Sequence, residues 1–187
     1  MEWTREGLVA AGFEGFVSFA ALPTSQVPAG PGVYVVLRPD AAPPVFLPEN
    51  IGREIKGKRH TESVTTLEQA WLPDAEVVYI GKADLGKARS DGAPGPRGIA
   101  QRLKEYRLHG ANLGGSHRGG RYLWQLRYSN ALLVAWREDT AAAAHATETE
   151  MLDDFIDQYG KLPFANLQNG RGSRHRKARA TPRMRQA

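Results

Sequence analysis

The chain has 187 residues, of which 41% are apolar, with 25 lysines and arginines against 20 aspartates and glutamates, and no cysteine. This length and apolar fraction fit one domain with a sizeable core, and the lack of cysteine excludes disulfides, thiol nucleophiles and thiolate metal sites. No apolar run is long enough to span a bilayer, and the first residues do not resemble a secretion signal, so we expect a cytoplasmic protein with no membrane partner.

The positive charge is concentrated at the C-terminal end. Residues 171–187 hold seven basic and no acidic residues, and removing these seven charges from the net +5 leaves −2 for residues 1–170. A segment this basic and this poor in apolar residues is expected to be disordered until it meets a polyanion. We predict a single domain over 1–170 and a basic disordered tail over 171–187, which favours a nucleic-acid partner or serves only as a solubilising terminus.

The first half of the chain combines short apolar runs with glycine and proline breaks. Within residues 2–22 the patterns predict a short helix and then a strand at 16–20. A second strand is predicted at 33–37, followed by an insertion at 38–74 with a short helix near 67–71. A third strand is predicted at 76–80 and stops at Gly81.

The second half is more helical. Ile99, Leu103 and Tyr106 recur at spacings of four and three, which predicts an amphipathic helix of about three turns. Two strands at 121–128 and 131–137 are predicted to form a hairpin. A long helix is predicted from 140 to 159, with Gly160 as its C-cap.

Three apparent site motifs do not support a function. Residues 81–87 match a phosphate-binding loop, but Ala88 replaces the hydroxyl residue that would hold magnesium, and the following residues cannot open a helix. The five histidines lack zinc-site spacing. Asp153, Asp154 and Asp157 lie opposite the apolar stripe of the long helix, which predicts a solvated face.

Two charged residues lie instead at or near apolar stripes. On the helical wheel Glu148 falls on the same face as the core residues that follow it, whereas Glu150 points away. A buried carboxylate needs a cation or hydrogen-bond donors, so Glu148 could pair with an arginine or hold a metal ion. Arg102 lies at the rim of its helix and could be a snorkelling surface residue or a donor to phosphate.

Five elements, in this order, resemble the GIY-YIG nuclease family. They are Gly32-Val33-Tyr34, Tyr79-Ile80-Gly81-Lys82-Ala83, Arg102-Leu103-Lys104-Glu105-Tyr106, Glu148 three residues before Met151-Leu152, and Pro163-Phe164-Ala165-Asn166. Val33 replaces the family's isoleucine. Residues 38–74 separate two strands that the family usually joins by a hairpin-sized loop, and the loop at 86–98 also lengthens the chain between Tyr79 and Arg102.

The resemblance implies an α+β fold, in which a small, mostly antiparallel sheet flanked by helices carries Tyr34 and Tyr79 on neighbouring strands. It implies a metal-dependent endonuclease that hydrolyses DNA phosphodiester bonds in restriction, repair or mobile-element biology. It also implies the following roles: Tyr79 takes a proton from the attacking water, directly or through Tyr34; Lys82 favours the phenolate; Arg102 stabilises charge on the phosphate; Asn166 holds the site together; and Glu148 binds one Mg²⁺ or Mn²⁺ ion.

Contacts to DNA are expected from basic residues that bind phosphate without reading sequence. The candidates are Arg53, Lys56, Lys58, Arg59, Arg118, Arg121, Arg174, Arg176 and Lys177. The main alternative is a catalytically inactive nucleic-acid-binding module of the same fold, and a third is an interaction protein whose tail engages a ribosome or an acidic partner.

Overall fold

The structure is a computed structural model that describes residues 1–52, 54, 57, 60–85, 97–114, 117 and 119–175. Within these ranges the strands are β1 (Glu14–Ser18), β2 (Gly32–Leu37), β3 (Val77–Ala83) and β4 (Leu133–Glu138). The helices are α1 (Arg5–Ala10), α2 (Val64–Ala70), α3 (Ile99–Gly110), α4 (Gly120–Leu123) and α5 (Ala141–Tyr159), with short 3-10 turns at Leu22–Thr24 and Ser129–Ala131.

The four strands form one sheet in the order β1-β4-β2-β3, and each neighbouring pair is antiparallel. Strand β2 is buried along its whole length, as its run of β-branched residues predicts. The predicted α+β fold with a small antiparallel sheet and flanking helices is therefore confirmed at this coarse level.

Each face of the sheet has its own core. Val33, Val35 and Leu37 pack with α1 and α5, whereas Tyr34 and Val36 pack with α3 and α4. This separation follows from the twofold alternation of side chains along a strand. A side chain's position along β2 or β3 thus determines which set of helices it meets.

The predicted helices around the sheet are confirmed with small changes of boundary. Helix α5 begins after Thr140, whose side chain accepts a hydrogen bond from the Ala143 amide, and ends at Gly160 with φ of 72°. Helix α3 runs for 12 residues, and its inward residues include Ile99, Leu103 and Tyr106. Strand β1 begins and ends two residues earlier than the strand predicted at 16–20.

The predicted hairpin over 121–137 is wrong. The chain instead forms α4 and the turn Ser129–Ala131, and β4 pairs with β1 and β2. The backbone after α4 bonds to residues 45–51, where the Leu47 amide donates to the Gln125 carbonyl at 2.7 Å. A periodic pattern cannot reveal this partner, which is almost 80 residues away in sequence.

Strand β3 continues beyond Gly81 to Ala83, so Gly81 is not the end of the strand that was predicted. Within residues 38–74, the side chain of Gln125 fixes two points by accepting from the Glu62 amide and donating to the carbonyls of Leu47 and Glu62. This part of the predicted insertion therefore packs on the segment after α4. None of the helices within the described ranges is long and apolar enough to cross a membrane.

Candidate functional site

Tyr34 and Tyr79 lie side by side on β2 and β3. In the strand register Tyr34 is opposite Gly81, and Val36 is opposite Tyr79, so both tyrosines point to the α3 face of the sheet. Their ring centroids are 5.9 Å apart. Tyr34 is fully buried, whereas Tyr79 is partly exposed. The accessible end of this pair is therefore the Tyr79 ring.

Gly81 makes the close approach of the two rings possible. A Cβ atom at this position would lie 2.7 Å from the Tyr34 Cζ and 2.7 Å from the Tyr79 Cε1. Gly119 plays a similar part behind Tyr79, because a Cβ there would lie 2.7 Å from that ring and 2.5 Å from the Tyr106 hydroxyl. Both glycines are required by space and not by backbone angle.

Two further aromatic side chains complete the cluster. The His117 ring stacks on the Tyr106 ring, with centroids 3.6 Å apart and an interplanar angle of 12°. The Nε2 atom of His117 lies 2.8 Å from the Tyr34 hydroxyl. Sequence reasoning missed His117, because a single histidine in a glycine-rich loop has no spacing partner that would mark it.

Arg102 is the cation of this cluster. It lies in the first turn of α3, and its Nη1 is 3.3 Å from the Glu105 carboxylate, with about a third of its side chain exposed. Its charge lowers the pKa of Tyr34, and the two tyrosines in turn raise the pKa of Arg102. Arg102 thus lies at the rim of the apolar stripe of α3, as predicted, and its charge lowers the pKa of both tyrosines.

Burial raises the pKa of Tyr34 to about 12, while Arg102 and the Tyr79 hydroxyl work in the opposite direction. Burial also raises the pKa of Tyr79 well above its ordinary value, and the charge of Tyr34 raises it further. Tyr106 is shifted in the same direction, again mainly by burial. Tyr34 is therefore the tyrosine that can best hold a negative charge in this cluster.

Glu148 is half-buried on α5, whereas Glu150 is exposed, so the inward orientation predicted by the helical wheel is confirmed. Loss of hydration raises the pKa of Glu148 to about 7, and Asp84 adds to this effect. Lys82 and Arg102 act against it but do not cancel it. Within the part of the chain that the structure describes, Glu148 forms no salt bridge.

Lys82 lies on the other face of β3 from Tyr79, because the two residues are an odd number of positions apart. Its Nζ is 2.5 Å from the Asp84 carboxylate, and its charge lowers the pKa of Glu148. The expectation that Lys82 favours a tyrosine phenolate does not fit this placement. Arg102 is the cation that acts on both tyrosines.

Asn166 holds β3 in place from outside the sheet. Its Oδ1 accepts from the Ile80 amide at 2.9 Å, and its Nδ2 donates to the Ile80 carbonyl at 2.8 Å. The preceding turn is closed by the Asn166 amide, which donates to the Pro163 carbonyl at 2.9 Å. Asn166 therefore fixes the backbone next to Tyr79 and does not itself point at the tyrosine rings.

The solvated face predicted for the acidic residues of α5 is found at Asp154 and Asp157, which are exposed, but the prediction is wrong for Asp153. Asp153 is buried, and its carboxylate accepts hydrogen bonds from the Ser173 hydroxyl and, at 3.0 Å, from the Arg174 amide. Asp154 and Asp157 pair with the Arg174 guanidinium, and Asp157 also contacts His175. Hydrogen bonds from the Arg174 and His175 side chains hold the pKa of Asp157 below its ordinary value.

The start of the predicted tail is thus bound to α5, and Arg174 is paired with aspartates and not free for phosphate. Arg121 is half-buried in α4. Several other predicted phosphate contacts lie outside the described residues, and they are Arg53, Lys56, Lys58, Arg59, Arg118, Arg176 and Lys177.

In the described ranges no group of three or more histidine, aspartate or glutamate side chains could hold a metal ion. Glu148 remains the one predicted ligand. It forms no salt bridge within the described residues, and such a half-buried carboxylate suits a hard ion that keeps most of its waters. Comparisons of the chain with protein-family models, with curated proteins and with solved structures give no match.

Proposed function

We propose that the protein is a metal-dependent endonuclease that hydrolyses DNA phosphodiester bonds. The observation that carries this proposal is a packed tyrosine pair, of which Tyr79 is partly exposed, together with a partly exposed arginine and a half-buried carboxylate whose charges act on Tyr34. The resemblance to GIY-YIG nucleases in these same residues supports it. Hydrolysis of a phosphodiester needs a base, a cation at the phosphate and help for the leaving oxygen.

The two tyrosines would share the proton of the attacking water. Tyr79 is the accessible member, so its hydroxyl meets the water, and Tyr34 beside Arg102 carries negative charge at the lower cost. As Tyr79 takes the proton from water, its own proton passes to the Tyr34 phenolate. Because the pKa of Tyr34 lies near 12, the cleavage rate should rise with pH from 7 to 9.

Arg102 and Glu148 would act on the phosphate from two sides. About a third of the Arg102 side chain is exposed, so it can donate to a phosphoryl oxygen while it keeps its contact with Glu105. Glu148 would hold one Mg²⁺ or Mn²⁺ ion, which when bound stabilises charge on the phosphate and on the leaving oxygen. Asn166 would keep Tyr79 in register through the backbone of Ile80.

The test is cleavage of supercoiled plasmid DNA with Mg²⁺ by the wild type, Tyr79→Phe, Glu148→Ala and the control Glu150→Ala. Nicking by the wild type and by Glu150→Ala, with loss in the other two variants, supports the proposal. If no DNA form and no RNA is cleaved while DNA binding persists, the protein is the inactive binding module. If Glu150→Ala is the inactive carboxylate variant, the assignment of Glu148 is wrong.

A further inference from the structure

The side chain of His117 lies within hydrogen-bond distance of the Tyr34 hydroxyl. Both side chains are buried, with His117 1% exposed and Tyr34 fully enclosed. The distance of 2.8 Å between the His117 Nε2 and the Tyr34 oxygen is that of a well-formed hydrogen bond. The resemblance assigns no role to His117, so the contact needs its own explanation.

The imidazole ring of His117 is held in one orientation. One of its faces stacks on Tyr106 at 3.6 Å, and its edge meets the Tyr79 ring at 5.4 Å between centroids. Its backbone N–H donates to the Nδ1 of buried His109 at 3.0 Å. The ring therefore presents Nε2 to Tyr34 and cannot turn away without breaking these contacts.

The ring is neutral, because burial and the nearby charge of Arg102 lower the pKa of His117 well below its ordinary value. Its Nδ1 is buried and has no hydrogen-bond partner in the described ranges. A buried N–H without a partner is rarer than a buried acceptor without one. The proton of the neutral ring therefore belongs on Nε2, where it has the Tyr34 oxygen as acceptor.

We propose that His117 is a positioning residue that donates its Nε2–H to the Tyr34 oxygen and so stabilises the phenolate form of that tyrosine. This role rests on the proposed nuclease function. Hydrogen bonds donated to a phenolate favour the charged form. Besides His117, the charged or titratable groups that act on Tyr34 among the described residues are Arg102 and Tyr106 on α3, Tyr79 on β3 and Glu148 on α5.

The first test needs no activity. In protein labelled with ¹⁵N-histidine, long-range proton–nitrogen correlation spectra show which ring nitrogen of His117 carries the proton, and His117→Gln identifies the signal. We expect a neutral ring with the proton on Nε2 between pH 6 and 9, and a displaced Nε2–H resonance in Tyr34→Phe. A proton on Nδ1, or a ring that is charged at pH 7, would overturn the proposal.

The second test uses cleavage. His117→Phe keeps the stack on Tyr106 but loses the donor, and the rate should fall about tenfold to a hundredfold with unchanged DNA affinity and a pH profile displaced to higher pH. His117→Gln offers an amide donor and should recover part of the rate. An unchanged pH profile in a folded, active His117→Phe variant would refute this role alone, whereas an inactive wild type would refute the nuclease function.

Discussion

In metal-free buffer, Glu148 should make the folded protein less stable as the pH rises. Its ordinary pKa of 4.5 is raised to about 7 in the folded state, mainly by lost hydration. The folded protein therefore holds this proton more tightly than the unfolded chain does. Stability should fall between pH 4.5 and 7 and then stay at the lower level.

The size of this loss follows from the shift itself. One pKa unit corresponds to about 1.4 kcal/mol, so a rise from 4.5 to about 7 costs up to about 3 kcal/mol above pH 7. Solvent screening of the half-buried side chain makes this figure an upper value. For a chain of this length it corresponds to a difference of up to about 6 to 12 °C in Tm.

Glu148→Gln removes the charge and keeps the shape, so this variant should match the wild type below pH 4.5 and exceed its Tm above pH 7. The assay is thermal unfolding followed by circular dichroism from pH 4 to 9 in metal-free buffer. Glu150→Gln is the matched control on the same helix, because that residue is exposed, and it should follow the wild type throughout. A difference that does not change with pH, or an equal gain in Glu150→Gln, would refute the reasoning.

Three further predictions concern packing and tail attachment. Gly81→Ala places a Cβ against Tyr34 and should lower the free energy of unfolding by roughly 1–3 kcal/mol, measured by urea denaturation; an unchanged value would show that the rings can move apart. Gln125→Ala leaves three backbone groups unpaired and should speed amide hydrogen exchange at Glu62. An unchanged exchange rate at Glu62 would show that the Gln125 side chain does not hold this segment. Asp153→Ala should make the chain at Arg174 sensitive to trypsin, whereas Asp154→Ala should do so less. Equal resistance of the wild type and both variants would contradict the attachment of residues 173–174 to Asp153.

The parts of the fold that sequence predicts are those that depend on local periodicity. Helix α5 has a capping threonine, a long apolar stripe and a closing glycine, and each of these acts within a few residues. Strand β2 is a run of β-branched residues after a glycine. The segment 121–128 was also predicted as a strand, but it finds its partner at residues 45–51, and no local pattern carries that information.

The features of the site also divide into those that local periodicity predicts and those that depend on distant segments. The inward orientation of Glu148 follows from its angle on the helix, and the opposite placement of Tyr79 and Lys82 follows from counting along the strand. His117 and the contact of Ser173 with Asp153 depend on how distant segments meet. The predicted solvated face is wrong at Asp153 for that reason, because the helical wheel shows which side a residue faces but not which distant segment covers it.

Asn166 has a consequence for assembly as well as for the site. Within the described residues strand β3 lies at one edge of the sheet, and an edge strand can recruit a strand from another molecule. The side-chain amide of Asn166 bonds to both backbone groups of Ile80, and the Ala165 amide donates to the Val78 carbonyl at 2.8 Å. The residue that fixes the backbone next to Tyr79 thus also covers part of this edge, which disfavours pairing with a strand of another molecule.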